Sequence, residues 1–149
     1  MQRDVTVGKN KSFFMYLLIN GDRLISDVQK DFSREYPYLK IEFFKKEAGV
    51  GERPFPKKML PHYLRVKDAW SGKKNGGDLK IDGTMTVEAL EHAFLDRFGL
   101  QAQLFRRSGN LWLETTITDV WTLRRQNEHG REISTDRRLP PPGKDNDYD

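Results

Sequence analysis

Glu88, His92 and Asp96 recur at intervals of four and would share one helix face. A carboxylate–histidine row of this kind can hold a divalent metal or raise the imidazole pKa, but a structural metal usually takes four ligands and no others are nominated. The row is therefore read as a solvated, charge-paired surface, with no metal and no cofactor expected. His62, between Pro61 and Tyr63, reads as a loop residue. His129, just before Gly130, reads as a cation suited to a helix C-terminus.

Nucleophilic chemistry finds little support. The chain has no cysteine, which excludes thiolate catalysis and disulfides, and it has no Gly-x-Ser-x-Gly elbow. Ser108 falls in a turn flanked by Arg106 and Arg107. Glu114 and Asp119 lie near the end of a strand where a pocket can form, yet no partner is visible for acid–base work. Gly8-Lys9-Asn10-Lys11-Ser12 lacks the leading glycine of a phosphate loop, and Gly49-Val50-Gly51 runs into Pro54 and Pro56 instead of a helix. No catalytic residue is assigned, and the balance leans away from an enzyme.

The elements that must position any site come from a unit present twice. Residues 17 to 46 and 79 to 107 align with Ile19-Asn20-Gly21 over Ile81-Asp82-Gly83, then Ile25 over Val87, Val28 over Leu90, Phe32 over Phe94 and Tyr36 over Phe98. With one residue dropped after the helix, Leu39, Ile41, Phe43 and Phe44 fall over Leu100, Ala102, Leu104 and Phe105. Each copy ends in two cations, Lys45-Lys46 and Arg106-Arg107.

The spacing predicts strand, helix, strand in each copy. Residues 13 to 19 are apolar throughout and too few for an independent helix, so they read as a central strand covered on both faces. Leu24, Ile25, Val28, Phe32 and Tyr36 then form a helical stripe that Pro37 ends. Leu39, Ile41 and Phe43 alternate as a strand with one face on the core. The second helix spans about residues 86 to 98, capped by Thr84 or Thr86 and stopped at Gly99.

Residues 47 to 61 hold two glycines and three prolines and read as an irregular loop. Tyr63 to Lys67 alternates weakly, which suggests a strand that pairs with Leu79 to Ile81 around a tip at residues 71 to 77. Residues 101 to 117 predict a hairpin through Ser108-Gly109-Asn110. Asp119 to Gly130 predicts a short helix capped by Thr122 or Asp119 and ended by Gly130. The chain is read as one domain over 1–133, with a disordered tail over 134–149.

The resulting fold class is α+β: a two-layer sandwich with the duplicated β-α-β unit in a ferredoxin-like arrangement and an added C-terminal hairpin. An alternative concerns the second half. Met85-Thr86-Val87 with Leu90, Gln103-Leu104-Phe105 with Ser108-Gly109, and Thr122-Leu123 with Gln126-Asn127 resemble a ubiquitin-like β-grasp over residues 62–133. That resemblance implies a protein-interaction module.

The chain has 149 residues, a formal charge of +4 and a pI near 9.3. The excess is concentrated: residues 45 to 74 carry nine cations against three acids. No apolar run approaches a membrane span, and the segment before residue 13 is too mixed for a signal peptide, so a cytoplasmic protein without membrane contact is expected. Phe44 and Phe105 recur outside the core alternation and should project from the far sheet face. They point to a small binding or interaction module that acts through this aromatic face and the basic loop, with Trp70, Lys57, Lys58, Lys73, Lys74, Arg106 and Arg107 as further contact residues. A protein partner or self-association is expected, with nucleic acid the alternative.

Overall fold

Two apolar stripes at helical spacing and five strand-length alternating or apolar runs set the elements of the computed structural model, which describes residues 14–45, 58–72 and 75–135. In chain order they are β1 (Phe14–Ile19), α1 (Ile25–Glu35), β2 (Leu39–Phe44), α2 (Val66–Ala69), β3 (Gly77–Asp82), α3 (Val87–Phe98), β4 (Gln101–Ser108), β5 (Leu111–Glu114) and α4 (Leu123–Ser134). The fold is α+β, with two antiparallel sheets. Local punctuation follows simple chemistry. Thr86 and Thr122 cap α3 and α4, each hydroxyl accepting from a backbone N–H at 3.1 Å. Gly99 ends α3 in the left-handed region at φ 65°.

The expected single sheet is divided in two. β1 pairs antiparallel with β3, while β2, β4 and β5 form a second sheet in that order. The two strands of one β-α-β unit therefore lie in different sheets, each paired with its counterpart from the other unit. The registers are telling: Leu17 pairs with Leu79 and Glu42 with Gln103, and these are the very residues that the repeat superposes. A residue can face its own counterpart only on a two-fold axis, so an approximate dyad relates the units through both sheets.

The repeat also extends further than the apolar pattern indicates. Ile25 N and Ser26 N donate to Leu64 O and His62 O, while Val66 N and Lys67 N donate back to Arg23 O and Gly21 O, at 2.8 to 3.0 Å. In the second unit Val87 N and Glu88 N donate to Trp121 O and Asp119 O, and Leu123 N and Arg124 N donate to Met85 O and Gly83 O, at 2.8 to 3.1 Å. Each helix entrance thus satisfies the unpaired N–H groups of the other. α2 is the short counterpart of α4.

This interlock corrects the expected strand at Tyr63 to Lys67. Those residues form a turn and the start of α2, because Val66 is the residue that reaches the core, 1% exposed, and its backbone is committed to α1's entrance. β3 therefore pairs with β1 and has no hairpin with residues 63 to 67, and the β-grasp pattern loses its first hairpin. β1 is covered on one face only. Leu17 and Ile19 are sealed, whereas Phe14, Tyr16 and Leu18 are about half exposed, since a two-stranded sheet has only one face on the core. α4 runs past Gly130 to Ser134. That glycine permits close packing: a Cβ there would stand 2.9 Å from Tyr38 Cβ and 3.1 Å from Arg106 Cγ. The tail beyond residue 135 lies outside the described residues.

The inward faces of both sheets and the stripes of α1 and α3 meet in one apolar cluster, with Phe43 edge-on to Phe94 at 5.4 Å between centroids. Tyr36 closes one end. Its ring stacks on Phe32 and is 4% exposed, and its hydroxyl has no hydrogen-bond partner among the described residues. Burial, then the Asp82 and Glu35 carboxylates, push the phenol up to about 12, against the pull of Arg124. A raised folded-state pKa holds its stability below the unfolded value near 10 and loses it as pH climbs towards 12. Tyr36→Phe is expected to be neutral or mildly stabilising at pH 7, by up to about 1 kcal/mol. It should also move alkaline unfolding to higher pH, as circular dichroism between pH 9 and 12 would register.

Candidate binding face of the three-stranded sheet

Because Leu39, Ile41 and Phe43 face the core, Lys40, Glu42 and Phe44 face away from it. The register sets Phe105 beside Lys40 and Gln103 beside Glu42, then Glu114 beside Phe105 and Trp112 beside Arg107. One outward surface thus collects residues from three strands. Towards β2 it is sealed: Glu42 is 1% exposed, Gln103 8% and Phe44 9%. Towards β5 it opens. Phe105, Arg107 and Trp112 are half-buried, and Glu114 is exposed.

Glu42 organises the sealed end. His62 Nε2 lies 2.8 Å from Oε1, Gln29 Nε2 donates to the same oxygen at 3.3 Å, and Lys40 Nζ lies 3.3 Å from Oε2. Gln29 also donates to Ile41 O at 2.6 Å, which ties α1 to the strand edge. Across the dyad the counterpart is neutral. Gln103 donates to Thr116 Oγ1 at 3.4 Å.

Lys40 is held by that carboxylate over two rings, with Nζ 5.6 Å from the centre of Phe105 and 5.1 Å from that of Trp112. Arg107 reaches the Trp112 ring from the β4 side at 5.5 Å, its Nε donating to Gly109 O. The open end is therefore apolar at its base and positive above it.

The sequence-nominated residues divide around this surface. Phe44, Phe105 and Arg107 lie on it. Arg106 is on the opposite side of β4, donating to Gln126 Oε1 at 2.9 Å beneath α4, where burial lowers its pKa. Trp70 packs on the turn before α1, its ring 3.1 Å from where a Gly21 Cβ would stand. Lys58 is exposed, and its carbonyl accepts from Lys45 N beside the end of β2. Lys57, Lys73 and Lys74 lie outside the described residues.

Glu88, His92 and Asp96 are all exposed, and among the described residues no three His, Cys, Asp or Glu side chains are placed to hold a metal. Glu114 lies exposed on β5, and Asp119 gives its carbonyl to Glu88 N at the entrance of α3. His129 is mid-helix, edge-on to Trp121, so it does not serve the helix end. Sequence reasoning missed the Glu42–His62 pair, because a Lys-x-Glu alternation on the outer face looks like ordinary solvated surface. It also left Trp112 off this face's contact set, although Trp112 stands two residues past Asn110 in the predicted hairpin.

No helix among the described residues is long and apolar enough to cross a membrane. Compared with protein-family models, curated proteins and solved structures, the chain matches none.

Proposed function

We propose that this chain is a binding module whose contact surface is the open end of the sheet face, formed by Lys40, Phe105, Arg107 and Trp112, and whose partner is an acidic segment of protein. One observation carries this. The two rings already hold the protein's own cations, so the surface offers fixed positive charge on an apolar base in place of bare platforms for stacking. A carboxylate flanked by apolar side chains meets that surface without displacing anything. A nucleobase would first have to strip Lys40 and Arg107 from the rings.

Poly-L-glutamate serves as a probe of the acidic class and a mixed-sequence single-stranded RNA as its competitor. Poly-L-glutamate is expected to quench tryptophan emission at low salt in the full chain and not in Trp112→Phe, with Arg107→Glu weakening it about tenfold. Tighter binding of the RNA, unaffected by Arg107→Glu and Lys40→Glu, would overturn the proposal.

A further inference from the structure

We infer that the acidic segment belongs to a second copy of this chain, and that two β5 strands pair antiparallel about a two-fold axis at Leu113. This inference rests on the binding reading above. It begins with backbone groups. Gly109-Asn110 is a two-residue turn, so Ser108 and Leu111 close the hairpin as a hydrogen-bonded pair, and Arg106–Leu113 is the next such pair. The alternate residues point their backbone away from the partner strand. Arg107 N accordingly donates away from β5, to Tyr38 O at 2.9 Å, and at the far end Thr115 N donates to Leu104 O in the same phase. Trp112 and Glu114 must then aim their N–H and C=O groups at the outer edge of β5. Among the described residues none of these groups has a backbone partner.

The edge is also apolar, with Leu111 63% and Leu113 42% exposed. An open apolar edge is a template for another strand. With Leu113 facing its own copy, Trp112 of each chain lies opposite Glu114 of the other. All outward N–H and C=O groups of those residues are then exchanged in two hydrogen-bonded pairs.

The charges match in the same register. Glu114 lies on the outward face, opposite a Trp112 ring that carries Arg107 and Lys40, so a carboxylate meets the cationic cluster once at each end of the axis. The contact is isologous and closed, and it makes one continuous sheet of six strands. The edge is four residues long, so the dimer is weak and concentration-dependent.

Sedimentation equilibrium of the full chain tests this. Dimerisation is expected, weakened about tenfold by Glu114→Arg or by Arg107→Glu alone and largely recovered when both are combined in one chain. Amide hydrogens of Trp112 and Glu114 should exchange more slowly as concentration rises. That readout needs no variant and covers any failure of the variants to fold. A monomer at every accessible concentration, or a dimer indifferent to both charge reversals, overturns the inference. If the monomer still binds poly-L-glutamate through Arg107, the binding reading stands and only the second copy falls. If neither occurs, both fall.

Discussion

Replacing Gly99 with alanine is expected to destabilise the fold by roughly 2–4 kcal/mol, read as a lower urea midpoint at unchanged slope. Two costs combine. Gly99 sits at φ 65° and ψ 31°, where a Cβ costs about 1–2 kcal/mol. The added carbon would also lie 2.6 Å from Ser71 O and 3.0 Å from Ser71 N. Those are backbone atoms, and Ser71 N itself donates to Gly99 O at 3.0 Å, so neither strand of chain can yield without breaking the joint between α2 and the end of α3. Gly83→Ala is the control. Its nearest atoms would be 3.6 Å away and its φ is not positive, so a change within about 1 kcal/mol is expected. Equal losses at the two positions would mean that the close approach at Ser71 has no energetic weight.

The second large effect concerns the buried carboxylate. Combining Lys40→Met with His62→Ala leaves Glu42 with Gln29 at 3.3 Å as its one remaining side-chain partner among those described above. A carboxylate that is 1% exposed then has no countercharge. Breaking a buried pair typically costs about 3–5 kcal/mol, and because His62 is half in water the loss here should be nearer 2–3 kcal/mol. The cause can be separated from lost packing. Adding Glu42→Gln to the double variant removes the stranded charge, places a neutral amide opposite its counterpart Gln103, and should restore most of the stability. If the triple variant is as unstable as the double, lost contacts and not the charge are responsible.

Much of the fold was legible because burial leaves a periodic trace. Val28, Phe32, Leu90 and Phe94 fall at helical spacing, and Leu39, Ile41 and Phe43 at strand spacing, so the unit and its duplication follow from residue type alone. Pairing is different. Nothing local distinguishes a β3 that joins β1 from one that forms a hairpin with residues 63 to 67, since both satisfy the same alternation. α2 is four residues long and is held by the carbonyls of Arg23 and Gly21, which are remote in sequence.

The outward placement of Phe44 and Phe105 could be read from the break in alternation that both copies share. The partition of Arg106 from Arg107 follows from the same alternation once β4 is known to run through both. Glu42 could not be read. A buried carboxylate and a solvated one look alike until His62, twenty residues on, is brought to it by the bond from Ser26 N to His62 O.

The exchange of strands between units has a kinetic consequence. Among the described residues β1 finds its ladder at residues 77 to 82 and β2 at 101 to 106, apart from a single bridge of Phe44 to Met59, so neither β-α-β unit contains a complete sheet pair of its own. Each ladder closes a loop of about sixty residues before any cross-strand bond offsets the lost chain entropy. Helices α1 and α3 can flicker early from local propensity and β4 can pair locally with β5, but the ladders that join β1 to β3 and β2 to β4 close only when the halves meet. The rate-limiting ensemble is therefore expected to join both units already, as in an obligate dimer whose subunits share one polypeptide, and folding is expected to be slow for a chain of this size.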